Sequence, residues 1–208
     1  MAASKKKYFR DDFEKKFGIT YLEHNVIRDE RLKKWDVYKD KEYTINPGLN
    51  DRLEERYGAL IKEAYCAPMS IQLVNRQVGY GAYAESPIKK GQMVCEYVGV
   101  IEPEIYGEDN LYLWDYPTVL HELTPAGRKK KIAFCINAEK KGNVARFINH
   151  SLRKYQNVGI EIIPYRNEWH VVYIAQKDIA KGEQLLTYYG MQYWRDRNIV
   201  PFVIEPGQ

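Results

Sequence analysis

The sequence predicts a mostly β domain preceded by a charged, α-rich N-terminal extension. Residues 1–68 carry many charges and contain one clear amphipathic helix. From residue 69 onward, short apolar strands alternate with glycine and lysine turns, which is typical of non-repetitive β folds. No internal repeat or low-complexity linker interrupts the chain. We therefore expect a β domain at 69–195 and a C-terminal extension at 196–208.

The helix of the N-terminal extension is predicted in the stretch "NDRLEERYGALIKEAY". Asp51 and Glu54 have the spacing of a capping box, in which side chains bind the free N–H groups at a helix start. Pro68 is expected to end the helix. Apolar residues at helical spacing give it one buried face, made of Leu53, Tyr57, Leu60, Ile61 and Ala64.

The β domain is predicted from runs with strand periodicity or continuous apolar character. Two of them flank a short connection at 165–167 and indicate a hairpin. The tail after residue 190 begins with a helical turn and ends in a proline-bearing extension. The predicted strands are 70–74, 92–101, 132–137, 158–164, 168–175 and 183–189.

Composition excludes several classes of protein. With 208 residues, 45% hydrophobic and 29% charged, the chain suits a globular protein with one sizeable core. We expect no membrane association, because no apolar run approaches the roughly 20 residues that span a bilayer and no secretory signal is visible. Cys66, Cys95 and Cys135 are too scattered for a disulfide framework or a metal cluster, which favours a reducing compartment such as the cytoplasm.

Four short stretches in a fixed order carry the functional prediction. They are "GYGAYA" (79–84), "CEYVGVI" (95–101), "GNVARFINHS" (142–151) and "GEQLLTYYG" (182–190). The third is unusual, because an apolar pair runs directly into an asparagine and a histidine. Polar side chains in such a position need partners if they are buried.

Together these stretches resemble the SET domain, the β-rich fold of protein lysine methyltransferases that use S-adenosylmethionine (SAM). The resemblance covers about residues 69–195, and "RFINHS" is its most specific part. It implies a β-clip fold of small curved sheets with a C-terminal pseudoknot, in which the "RFINHS" segment and the final strand pass through one another's loop. The sequel "YGMQYW" is similar to small stand-alone SET proteins of chlamydiae and viruses, which lack zinc-binding cysteine clusters around the domain.

The resemblance also implies a cofactor site for SAM. Asn149 would bind the amino-acid part of the cofactor, and the backbone of His150 would hold the adenine edge. Arg146 would order this segment, and glycines of "GYGAYA" would let the backbone approach the methionine part without a Cβ in the way. The implied cofactor-binding residues are Gly79, Tyr80, Gly81, Arg146, Asn149, His150 and Trp194.

Catalysis is implied for two tyrosines, Tyr189 and Tyr112, which together with Tyr193 would line the channel for the substrate lysine. The C-terminal extension would complete this channel. Plain hydrophobic packing of the C-terminal segment is the alternative for Tyr193 and Trp194. Thr187 and Tyr188 occupy positions where the family usually has other residues, so the degree of methylation stays open.

The expected substrate is a lysine in the basic tail of a histone or a histone-like protein. Acidic residues could attract such a tail, although a solvated face explains them equally well; they are Glu96, Glu102, Glu104, Glu108, Asp109 and Asp115. If the source is an intracellular bacterium, the chain would be an effector that reaches a host nucleus by a non-classical route.

Two alternatives to an enzyme stay open, as does a homodimer. One is a catalytically silent SET-fold module that binds chromatin or a partner protein. The other is a nucleic-acid binder that uses the basic runs at 4–7 and 127–131. These runs are short, and the net charge of +4 is only mildly basic, so a solvated loop is the preferred interpretation of both runs.

Overall fold

The structure is a computed structural model that describes residues 6–105, 110–196, 198, 200–201 and 203–204. Within these residues the chain forms fourteen short strands: β1 Lys7–Tyr8, β2 Thr20–Tyr21, β3 Val26–Ile27, β4 Met69–Asn75, β5 Gly79–Ala84, β6 Met93–Glu96, β7 Val100–Pro103, β8 Leu113–Leu123, β9 Lys129–Asn137, β10 Lys141–Gly142, β11 Asn149–His150, β12 Val158–Tyr165, β13 Glu168–Ala175 and β14 Leu186–Thr187.

Helices are fewer and mostly short. The α-helices are α1 Glu30–Lys33, α2 Lys41–Thr44, α3 Pro47–Lys62 and α4 Met191–Asp196. Single turns of 3₁₀-helix lie at Arg10–Asp12, Val37–Lys39 and Val144–Phe147, and a short π-helix covers Phe13–Phe17. None of the helices in the described part of the chain is long and apolar enough to cross a membrane.

The strands form small separate sheets, and the prediction of a mostly β fold is confirmed. One sheet has the order β3-β7-β9-β8, a second β12-β13-β6 and a third β1-β4-β5. Two further pairs, β2 with β10 and β11 with β14, are parallel. The main core lies between these sheets and contains Phe13, Phe134, Ile136 and Trp169.

The predicted hairpin is present as β12 and β13. Its two-residue turn places Arg166 and Asn167 at φ values of 50° and 64°, as the favoured tight hairpin turns require. The Asn167 side chain accepts a hydrogen bond from the N–H of Val37 at 3.0 Å and donates one to the carbonyl oxygen of Trp35 at 2.7 Å. The hairpin turn therefore also fixes part of the N-terminal segment.

The prediction of one strand at 92–101 is wrong, because the chain passes there from one sheet to another. β6 pairs with β13, whereas β7 pairs with β9. At the break, a Cβ on Gly99 would lie 2.5 Å from the carbonyl oxygen of Asn137. Only glycine permits this close approach of two main chains. The predicted strand at 183–189 is also divided, since Gln184 forms an isolated bridge with Tyr83 and only Leu186–Thr187 forms a strand, β14.

The amphipathic helix exists as α3, but its predicted ends are wrong. It begins at Pro47, and the side chain of Asn46 caps it by accepting from the N–H of Leu49. Asp51 is inside the helix and accepts from the hydroxyl of Tyr43 instead. The helix ends at Lys62, well before Pro68, and Ala64 then turns the chain at φ 49°.

The predicted apolar face of α3 packs against β6, β12 and β13. Tyr57 and Ile61 are buried there with Met93, Ile163 and Val172. Of the other residues predicted for this face, Leu53 and Leu60 are partly buried at the edge of the same cluster. Ala64 lies beyond the helix end.

The N-terminal segment adds strands to sheets formed by later parts of the chain. β1 pairs with β4, β2 with β10 and β3 with β7. The same segment contains the helices α1, α2 and α3. The domain boundaries after residues 68 and 195 stay predictions.

Candidate active site

A cavity of about 650 Å³ collects most of the residues that the sequence singled out. It opens between the start of β5, the segment that joins the 144–147 turn to β11, the start of β8, and α4. Nine of the ten predicted site residues line it: Gly79, Tyr80, Tyr112, Arg146, Asn149, His150, Tyr189, Tyr193 and Trp194. Their roles in binding or catalysis stay predictions.

Gly81 is the one predicted site residue that does not line the cavity. A Cβ at this position would lie 2.5 Å from Nε2 of Gln184, 2.8 Å from Cγ2 of Val74 and 2.9 Å from Nδ2 of Asn149. Real Cβ atoms do not tolerate such distances. Gly81 is therefore needed for the packing of Asn149, whatever its backbone contacts.

Asn149 and His150 have hydrogen-bond partners in different parts of the chain. Nδ2 of Asn149 donates to the carbonyl oxygen of Tyr80 at 3.1 Å. Nδ1 of His150 accepts from the N–H of Tyr189 at 3.1 Å, which requires the proton of the neutral ring to be on Nε2. Burial lowers the pKa of His150 to about 4.

These two residues are held in place by the parallel pairing of β11 with β14. Asn149 lies opposite Leu186, and His150 lies opposite Thr187. The next residue, Ser151, donates its hydroxyl to the carbonyl oxygen of Ile204 at 2.6 Å. The motif is thus fixed by the last strand on one side and by the C-terminal segment on the other.

Three tyrosine hydroxyls around the cavity donate to main-chain carbonyl oxygens. Tyr189 donates to Ile148 at 2.7 Å. The hydroxyl of Tyr193 donates to Leu111, and that of Tyr97 to Tyr112, each at 2.8 Å. Burial raises the pKa of Tyr189 well above its usual value. This phenol is therefore neutral at physiological pH and acts as a fixed dipole.

Arg146 packs its guanidinium on an aromatic ring. The guanidinium carbon lies 3.7 Å from the centre of the Tyr112 ring, a cation–π arrangement. Burial lowers the pKa of Arg146. Its Nε and the indole Nε1 of Trp194 are buried and have no hydrogen-bond partner among the described residues. Both residues line the cavity, so both donors are candidates for a bound molecule.

Sequence reasoning missed several aromatic residues of the cavity wall. Tyr97, Trp114 and Tyr173 form a cluster with ring centres 5.9–6.5 Å apart. Tyr97 is inside the "CEYVGVI" stretch, and Trp114 is two residues after Tyr112, so strand alternation was a usable signal for both. Tyr173 lies in the apolar run 171–175 of β13, and no pattern distinguishes it there. The N-terminal residues Phe17 and Ile19 were also missed.

The two positions that depart from the family pattern lie beside the cavity. Thr187 is buried, and its hydroxyl has no hydrogen-bond partner among the described residues. The Tyr188 ring contacts His150 at 5.5 Å between ring centres and receives the Arg153 guanidinium at 4.5 Å. Neither side chain lines the cavity.

The acidic residues have different environments. Glu96 is only 3% exposed, and its Oε1 lies 2.7 Å from Nδ2 of Asn25 and 2.8 Å from Nδ1 of His170. It therefore faces the interior and belongs neither to a solvated face nor to a surface that attracts a basic tail. Glu102 is half-buried and pairs with Arg28 at 3.1 Å. Glu104 and Asp115 are exposed, whereas Glu108 and Asp109 lie outside the described residues.

Comparisons with known proteins find histone-lysine methyltransferases among the relatives of this chain. Among curated relatives, "Histone-lysine N-methyltransferase, H3 lysine-9 specific SUVH1" of Nicotiana tabacum is 30% identical over 122 residues, which are 54% of this chain and 17% of the relative. "Probable Histone-lysine N-methyltransferase ATXR5" of Ricinus communis is 30% identical over 137 residues, 63% of this chain and 35% of the relative. The chain therefore spans only about a third or less of these two relatives' length.

A solved structure supports the fold. The crystal structure of ATXR5 in complex with histone H3.1 mono-methylated on R26 superposes with a TM-score of 0.60 at 20% sequence identity, covering 86% of this chain and 84% of that one. The sequence model of the SET domain matches residues 79–190, from the start of β5 to the glycine after Tyr189. Because that match covers more than half of the chain, this protein belongs to the SET-domain family.

Proposed function

We propose that the chain is a SAM-dependent protein-lysine N-methyltransferase that acts on a lysine of a histone or a histone-like basic protein. One observation carries the proposal. A single cavity is lined both by polar groups, among them Asn149 and His150, and by aromatic rings, among them Tyr112 and Tyr189. Methyl transfer needs two reactants to be positioned in line, and this lining offers polar partners for a cofactor beside aromatic rings for an amine.

The residues present fit SAM. A volume of about 650 Å³ is in the range of cofactor sites. The unpaired buried donors of Arg146 and Trp194 and the side chain of Asn149 would hold the polar groups of the cofactor. When bound, SAM supplies an electrophilic methyl group on a positively charged sulfur.

The aromatic rings of the cavity wall suit a lysine side chain that must lose its proton. Lysine has a pKa of about 10.4, so deprotonation at pH about 8 costs roughly 3 kcal/mol. An apolar channel lowers this cost because it disfavours the ammonium form. Tyr189, anchored on Ile148, would then orient the neutral amine by its fixed phenol and the nearby main-chain carbonyl groups.

Two finer statements belong to this proposal. The parallel pairing of β11 with β14 supports a pseudoknot in which the two segments cross. The names of the two curated relatives, both histone-lysine N-methyltransferases, support a histone lysine as the substrate. Delivery to a host nucleus as a bacterial effector and a homodimer stay predictions, and the degree of methylation stays open.

The test is transfer of labelled methyl from SAM to core histones, to a bacterial histone-like protein and to a cell lysate. We expect label on a basic protein with the wild type and at least about 100-fold less with Tyr189→Phe. Tyr43→Phe is the matched control, because the Tyr43 hydroxyl binds Asp51 outside the cavity. Binding of S-adenosylhomocysteine is measured in parallel by calorimetry.

The outcomes separate the proposal from its rivals. If no label is transferred and S-adenosylhomocysteine does not bind, the methyltransferase proposal is overturned. Binding without transfer to any of the three substrates would favour the catalytically silent module. A salt-sensitive shift of DNA in a gel, without methyl transfer, would favour the nucleic-acid binder that uses the basic runs.

A further inference from the structure

Two residues of the N-terminal segment, Phe17 and Ile19, line the 650 Å³ cavity although they lie far upstream of the SET match at 79–190. Phe17 ends the π-helix Phe13–Phe17. Gly18 then turns the chain at φ 65°, and Ile19 is buried. The wall of the cavity is thus completed by a part of the chain that the family match does not include.

Phe17 contacts both stretches that would hold the cofactor. Its ring lies 5.1 Å from that of Tyr80 in an edge-to-face arrangement and 5.0 Å from that of Phe147. Tyr80 is the residue whose carbonyl oxygen binds Asn149. The ring of Phe17 is half-buried, so part of it is free to face a molecule in the cavity.

The position of Phe17 is fixed from both sides. Four residues earlier, Phe13 is 1% exposed and packs on Phe147 with 5.9 Å between ring centres. Shortly after it, β2 pairs in parallel with β10, and the N–H of Leu22 donates to the carbonyl oxygen of Gly142 at 2.9 Å. β10 leads directly into the turn that carries Arg146. A preorganised apolar wall adds affinity because little freedom is lost on binding.

We infer that Phe17 is a cofactor-positioning residue and that the N-terminal segment is an integral part of the cavity wall beside Tyr80. This inference rests on the proposed function. It differs from a purely structural role, in which Phe17 only fills space between Tyr80 and Phe147. The difference is measurable, because a wall residue changes cofactor affinity more than it changes substrate affinity or stability.

The first experiment measures the Kd of S-adenosylhomocysteine by calorimetry for the wild type, Phe17→Ala, Phe17→Tyr and Phe9→Ala. We expect Phe17→Ala to raise the Kd about tenfold, with a matching rise in the KM for SAM and an unchanged KM for the protein substrate. Phe17→Tyr keeps the ring and restores affinity to within about threefold. Phe9 is 47% exposed and lines a different cavity, so Phe9→Ala changes none of these values.

A second measurement does not depend on how stable the alanine variant is. The wild-type chain is labelled with fluorophenylalanine, and the resonances of Phe17 and Phe9 are assigned from Phe17→Leu and Phe9→Leu. We expect the Phe17 resonance to shift as S-adenosylhomocysteine is added and that of Phe9 to stay unchanged.

The outcomes separate the inference from the function on which it rests. If the wild type binds S-adenosylhomocysteine while Phe17→Ala binds equally well, or while the Phe17 resonance does not move, the inference is overturned and the proposed function stands. If the wild type itself does not bind, the proposed function fails and the inference fails with it.

Discussion

The hydroxyl of Tyr189 donates a hydrogen bond of 2.7 Å to the main-chain carbonyl oxygen of Ile148, the residue immediately before β11. The bond connects the chain just after β14 to the residue before β11, the strand with which β14 pairs. Its loss in Tyr189→Phe leaves one carbonyl group unpaired. We expect the free energy of unfolding, measured in urea, to fall by about 1–2 kcal/mol while the fold is kept.

Lost methyl transfer in Tyr189→Phe reports on chemistry only if the variant stays folded. Tyr193→Phe removes a similar bond to Leu111 at an exposed position and should cost less than about 0.5 kcal/mol. A cost above about 4 kcal/mol for Tyr189→Phe would mean that the phenol is chiefly structural. Lost methyl transfer in that variant would then report unfolding and not chemistry.

His150 should make stability dependent on pH. Its pKa is about 4 in the folded chain and about 6.5 when unfolded, because burial disfavours the charged ring. The unfolded state therefore binds more protons between these two values. The contribution of neutral His150 to the free energy of unfolding is complete above pH about 6.5 and is lost as the pH falls toward about 4. The free energy of unfolding then changes by at most about 1.4 kcal/mol per pH unit.

The control is His150→Asn, whose amide oxygen can accept from the N–H of Tyr189 without titrating. Urea unfolding at pH 4, 5, 6 and 7 should give a flatter stability curve for this variant than for the wild type. Parallel curves for the two proteins would contradict the lowered pKa.

Gly81 should not tolerate a side chain. In Gly81→Ala the new Cβ would meet Gln184, Val74 and Asn149 at 2.5–2.9 Å. We expect a loss of about 1–3 kcal/mol in the free energy of unfolding and weaker binding of S-adenosylhomocysteine, because Asn149 is displaced. Gly48→Ala is the matched control, since its Cβ would meet only Nη1 of Arg52 at 3.7 Å. Equal effects of both substitutions would refute the steric explanation.

The start of α3 can be tested by removing each candidate cap. Asn46→Ala removes the side chain that accepts from the N–H of Leu49 at 3.2 Å and should cost about 1 kcal/mol by thermal or urea unfolding. Asp51→Ala removes only an exposed bond from Tyr43 and should cost less than about 0.5 kcal/mol. A larger loss of unfolding free energy in Asp51→Ala would mean that Asp51 caps the helix, as the capping-box spacing predicted.

The sequence predicted the parts of the molecule that depend on neighbouring residues. The β12–β13 hairpin follows from two apolar runs around a short connection, β4 follows from its alternation, and most of β9 follows from a near-continuous apolar run. The break between β6 and β7 does not, because it results from two different partners, β13 and β9. Local patterns carry no information on which distant strand a segment will join.

The same limit applies to the cavity. Asn149, His150 and Tyr189 were found because they lie in short motifs, and the fold brings those motifs together. Phe17 looks like any apolar residue in a charged stretch. It reaches the cavity because Phe13 packs on Phe147 and because β2 joins β10, a pairing between residues 20–21 and 141–142 that no local pattern contains.

That pairing also bears on how the chain is made. On a ribosome, Phe13 and Phe17 emerge long before Lys141–Gly142, and the pairing of β11 with β14 waits until residue 187 has been synthesised. Contacts of such long sequence separation form slowly, because the entropy of closing large loops must be overcome first. The early aromatic residues therefore remain exposed to water and to chaperones through most of translation, so we expect the yield of folded protein to depend on translation rate and chaperone supply.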